Sequence, residues 1–186
     1  NSSYVFCLCL SYFGYSSQYN SHSPVNPWLL FEDICCLAAA VYVGGQSIKF
    51  GAGARGTKAA NVGFKAAVNE LCARLGEGTA FRDQHTFNTK DSKLDLVAWS
   101  SFLDSWPSKL VLFGQCAAGK AWLSKDSELN PQAFWDQWMA EPKVSPLLRS
   151  FFIPHRISDI SEFVLRARRT GILFDRCRIA TLVLRS

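Results

Sequence analysis

Two apolar segments near the middle of the chain, KLDLVAWS at 93–100 and SKLVLFGQCA at 108–117, constrain the fold more than any other feature. The first alternates apolar and polar side chains, the period of a strand, and the second is a short apolar run of strand type. Pro107 lies in the connection between them, which suits a hairpin. Strands this apolar need cover, and helical patterns flank them on both sides. Asn26-Pro27 reads as an N-cap followed by proline at the first helical position. Leu29, Leu30, Ile34, Leu37 and Ala38 then keep helical spacing, so a helix is expected over 27–42, stopped by Gly44-Gly45. Val62, Phe64, Val68, Leu71 and Leu75 predict a second helix, ending near Gly76. Beyond the hairpin, a helix is expected from Asn130-Pro131 to Met139 and a buried strand at LLRSFFIPH, halted by Pro154. A further helix is expected from Ser158 to Arg168, with Ser158 as its cap, and ILFDRCRIATLVL reads as strand or helix. This order predicts an α/β fold: a mixed β-sheet flanked by α-helices.

A length of 186 residues suits one domain with its own core. The Ser-, Asn- and Tyr-rich stretch before Pro27 makes 1–26 an N-terminal extension or linker and 27–186 the domain. With 48% hydrophobic and 19% charged residues, extensive disorder is excluded. A net charge of +5 favours a polyanionic partner without requiring one. The seven cysteines are odd in number, include the adjacent Cys35-Cys36, and read as reduced thiols of a cytoplasmic protein rather than a disulfide scaffold. Cys7-x-Cys9 has no matching second pair, so zinc is not expected. No apolar run approaches the ~18 residues of a spanning helix, so no membrane association is expected. The apolar opening from Tyr4 to Phe13 lacks the basic leader and cleavage site of a signal peptide.

The pair that carries chemistry is Asp95, within one strand, and Gln115, near the end of the next. A hairpin brings such positions close, and a carboxylate beside an amide oxygen offers a hard cation such as Mg²⁺ two of the oxygen ligands it prefers. A bound metal lowers the pKa of its water and offsets charge on a phosphorus under attack, and a nearby lysine assists.

DSKLDLVAW, a gap, then LVLFGQCAAGKAW resembles the Asp…(Glu/Gln)-x-Lys signature of the PD-(D/E)XK nucleases, nearest the Mrr-like branch with glutamine in place of the second acid. The resemblance spans roughly residues 28–155 and implies a restriction-endonuclease-like fold for 27–186. It also implies a Mg²⁺-dependent DNA endonuclease (Mn²⁺ substituting) in restriction or antiphage defence. A regulatory domain or partner protein would control it, and homo-oligomerisation stays open. By the same resemblance Asp95 and Gln115 are metal ligands, and Glu32 of LLFEDI supplies a further carboxylate. The pattern places lysine two positions after the glutamine, where this chain has Ala117; Lys120, after Gly119, is the nearest substitute.

Each residue also has a structural alternative. Asp95 can serve a salt bridge, Gln115 can satisfy backbone groups, and Glu32 and Lys120 can be solvated surface residues. In GAGARG at 51–56 the dinucleotide spacing G-x-G-x-x-G occurs after VYVGGQSIKF, a lead-in broken by two glycines, so a nucleotide-binding module is the weaker alternative. Phosphate contact by Lys49, Arg55 and Lys58 is the better use of that basic loop. A nuclease-like domain that binds DNA or a partner without cutting is the other alternative, supported by Ala117. Arg166, Arg168, Arg169, Arg176 and Arg178 form a second basic region, expected to pair with Asp159, Glu162 and Asp175. His155 is expected to be a hydrogen-bonded structural histidine, and Trp106, Trp122, Trp135 and Trp138 to be core.

Overall fold

The computed structural model describes residues 2–13, 25–50, 59–83 (backbone alone at 59–62), 93–104 and 106–186. Helix α1, Ser2–Phe13, turns Cys7 and Leu10 inward, three positions apart on one face. Helix α2, Pro27–Val43, starts where the Asn26 side chain accepts hydrogen bonds from the Trp28 and Leu29 amides. It ends at Gly44, whose φ of 63° is left-handed. Gly45 follows because a Cβ there would collide with the Trp99 carbonyl oxygen. The two glycines that read as a break therefore turn the chain from α2 onto the sheet edge, where β1, Gln46–Lys49, pairs antiparallel with β2, Leu96–Ser100.

Helix α3, Ala59–Leu75, comes between these two strands in the chain. Strand β3, Leu110–Cys116, pairs antiparallel with β2 in the register Leu96↔Gly114 to Ser100↔Leu110. A 3-10 helix, Lys120–Lys125, and α4, Pro131–Trp138, carry the chain over to β4, Leu147–Phe152, parallel to β3. Helix α5, Ile160–Thr170, then makes a second crossover to β5, Ile172–Phe174, parallel to β4, and α6, Arg176–Val183, follows. The sheet order is β1-β2-β3-β4-β5, two antiparallel pairings followed by two parallel ones. The fold is α/β, a mixed sheet with helices on both faces, as the element pattern predicts.

Alternation along β2 explains the two layers. Val97 and Trp99 point to one face, where α3 and α4 bring Phe64, Phe134, Trp135 and Trp138 into an aromatic cluster. Leu96 and Ala98 point to the other, against Phe31, Cys35, Ala38 and Ala39 of α2 and Ile179 of α6. Burial on both faces is why these strands are apolar nearly throughout. Gly114 of β3 lies on the α2 side, where a Cβ would crowd the Leu96 side chain at 2.7 Å.

Several local expectations differ from the structure. Asp159, not Ser158, caps α5, accepting from the Glu162 amide at 2.7 Å; Glu162 then occupies the usual acidic position of a capping box. The closing segment is both strand and helix, with Asp175 between them capping α6 through the Arg178 amide. Residues 2–13 are helical, and Cys7 and Leu10 join the core on the α2 side of the sheet. Trp106 is 73% exposed rather than core, whereas Trp135 and Trp138 are buried as expected.

Candidate functional site

β2 begins and β3 ends at the same end of their antiparallel pair, and Asp95 and Gln115 sit there. Asp95 immediately precedes β2. Its amide donates to the Gly114 carbonyl at 2.9 Å, and its own carbonyl accepts from the Phe50 amide at 2.7 Å. The carboxylate Oδ2 accepts from the Cys116 amide at 2.8 Å. A side-chain oxygen thus stands where a strand carbonyl would continue the ladder, and the two strands part beyond it.

Gln115 is the next residue back along β3, and only 4% of it is exposed. Strand alternation puts its side chain on the face of Val111 and Phe113, away from α2. Its Nε2 donates to Glu128 Oε2 at 2.9 Å. Its Oε1 is buried and receives no hydrogen bond. Most buried polar atoms have a partner, so an amide oxygen of this kind calls for an explanation.

Glu32 is 4% exposed, so it is not a solvated helix residue. It lies on α2, beside the buried Phe31 and Cys35. Glu32 and Asp95 both add to the electrostatic load on Cys116, whose thiol pKa is held far above its ordinary value, first by burial and then by Cys35. Burial likewise pushes Cys35 up to about 11 and Cys36 to about 12. These thiols stay protonated at neutral pH and offer no thiolate.

Lys120 is exposed at the first position of the 3-10 helix, just after the bend at Gly119. Ala117, where the family pattern places lysine, is 1% exposed and packs with Phe151, Ile153 and Leu173. A lysine amine there would enter an apolar cluster. Lys49, the last residue of β1, is ion-paired with Asp33 of α2. Arg55, Lys58 and the glycine loop 51–56 lie outside the described residues.

His155 follows β4, at the same end of the sheet as Gln115 because β3 and β4 are parallel. Rather than bonding through Nε2, which is buried without a partner, its ring stacks on Trp122 at a centroid distance of 5.7 Å. Burial, and secondarily the Arg176 charge, lowers its pKa below the ordinary histidine value. The arginines of α5 find an acid that sequence spacing does not reveal. Arg166 and Arg169 contact the buried Asp126 at 3.1 and 3.3 Å, while Arg166 to Glu162 is a looser 3.8 Å.

Among the described residues, no group of three or more His, Cys, Asp or Glu side chains is arranged to hold a metal ion. The Asp95 carboxylate and the Gln115 amide stand at the end of the β2–β3 pair, with the Glu128 carboxylate on the amide nitrogen, and Mg²⁺ commonly takes only one or two protein ligands beside water and substrate phosphate. Gln115 Oε1, buried and lacking a donor, fits the demand of such a cation for an oxygen. Among the described residues no helix is long and apolar enough to cross a membrane. No family model, curated protein or solved structure matches the chain.

Proposed function

We propose that this chain is a metal-dependent endonuclease domain that hydrolyses DNA phosphodiesters, with Mg²⁺ as the working ion and Mn²⁺ able to replace it. The observation that carries the reading is the buried amide oxygen of Gln115, without a hydrogen-bond donor, one residue along β3 from the backbone amide that Asp95 binds. Asp95 and Gln115 would hold the ion, which when bound acidifies a coordinated water and offsets charge on the phosphorus. Asp95 keeps Oδ2 on the Cys116 amide, and that bond orients its carboxylate at the open end of the strand pair. Lys120, beyond the Gly119 bend, faces solvent from the same end and steadies the phosphate. Lys49, Arg55 and Lys58 contact the DNA backbone, Lys49 exchanging Asp33 for a phosphate. Glu32, buried on α2, would supply a further carboxylate to the same ion. A cytoplasmic role in restriction or antiphage defence, controlled by another domain or partner, belongs to the same proposal and rests on the motif resemblance alone.

Asp95→Asn tests it. Asparagine still offers Cys116 an acceptor, so the fold should survive, while Mg²⁺-dependent plasmid cleavage should fall by about 100-fold or more. Unchanged cleavage removes Asp95 from the mechanism. A second reading, a nuclease-like domain that binds DNA without cutting it, draws on the burial of Ala117 in an apolar cluster. It predicts retardation of DNA in a gel, with no nicking in Mg²⁺ or Mn²⁺.

A further inference from the structure

We propose that Glu128 is a positioning residue that holds the Gln115 amide with its oxygen turned toward a divalent cation, an assignment that rests on the metal-dependent reading above. A primary amide is nearly symmetric in shape, so its partners decide which way round it sits. Glu128 Oε2 lies 2.9 Å from Gln115 Nε2, and an ionised carboxylate only accepts hydrogen bonds. The opposite flip would set amide oxygen against carboxylate oxygen. Glu128 therefore selects the one orientation that leaves Oε1 buried and without a donor. An unsatisfied buried carbonyl is costly, and a cation is a partner that would relieve it.

Glu128 is itself exposed, yet its position is well held. Asp126, two residues earlier, is buried and ion-paired with Arg166 and Arg169 of α5. Leu129, one residue later, is buried in the aromatic core. The Glu128 amide donates to the Lys125 carbonyl at 3.2 Å. Two buried neighbours thus fix the turn from which Glu128 reaches Gln115.

The test is Mn²⁺ binding by the full chain, followed by paramagnetic resonance of the free ion without DNA. Glu128→Ala should weaken binding by about 10-fold, the usual cost of removing a group that orients a ligand. Glu128→Gln, which can still present an oxygen to Nε2 but no longer enforces it, should fall between. In the Gln115→Ala background, Glu128→Ala should change nothing further, because Glu128 acts through the amide. In cleavage assays the Glu128→Ala variant should need more metal for half-maximal rate and recover most of the rate at saturation. Wild-type affinity in Glu128→Ala, with weakened binding in Gln115→Ala, overturns the positioning role while leaving the nuclease reading intact. Additive losses overturn it too, by making Glu128 a ligand in its own right. No Mn²⁺ binding by the wild-type chain overturns both.

Discussion

The two ends of β3 both bury polar side chains, and they treat them in opposite ways. At the start of the strand, Glu77, Lys109 and Ser145 are buried together. Glu77 accepts from the Ser145 amide at 3.0 Å, from the Ser145 hydroxyl and from the Ser108 amide at 3.3 Å. The Lys109 amide donates to Ser145 Oγ at 2.7 Å, and its ammonium donates to the Leu75 carbonyl. This knot ties the end of α3 to the entries of β3 and β4, and it holds Ser108 at a φ of 78°, a left-handed conformation that non-glycine residues seldom adopt. At the other end, Gln115 satisfies its nitrogen and leaves its oxygen bare. Full satisfaction is what a structural device needs. A buried acceptor left over is what a ligand site needs.

Three substitutions would break or sharpen that contrast. Glu77→Ala is expected to cost most, about 3 kcal/mol in urea unfolding, because it strips the acceptor from three donors in a buried setting. A loss below about 1 kcal/mol would mean that water replaces the carboxylate and that the knot is dispensable. Ala117→Lys, which would install the lysine spacing of the PD-(D/E)XK pattern, should cost about 2 kcal/mol by forcing an amine into the cluster of Phe151, Ile153 and Leu173. Thermal unfolding reads this directly, and a variant as stable as the parent that also cuts DNA faster would show that the position opens to the site after all. Gln115→Leu should cost least, under about 1 kcal/mol, since removing the bare oxygen offsets the lost bond to a solvent-facing Glu128. A loss matching that of Glu77→Ala would make the two ends alike and leave Gln115 a structural residue.

Much of this was legible along the chain. The helix from Pro27, the β2–β3 pair, the helix at 131–138 and the strand at 147–152 carry strong local signals: caps, prolines and period. The pieces that escaped or were left open are short or depend on distant partners. β1 has four residues and β5 three, too few for a period to show, and each is a strand because of the neighbour it pairs with. Asp126 meets Arg166 across forty positions, a pairing created by the second crossover rather than by any spacing.

The candidate site divides along the same line. The amino-acid sequence alone marks Asp95 and Gln115 as polar residues in apolar strands, because strand period and apolar content are local properties. Only the packed structure decides that Asp95 closes the ladder on Cys116, that Gln115 turns to Glu128, and that Glu32 is buried. The reason is physical. A period of two says that neighbouring side chains face opposite ways, but which helix waits on each side is set by chain segments brought in from far away.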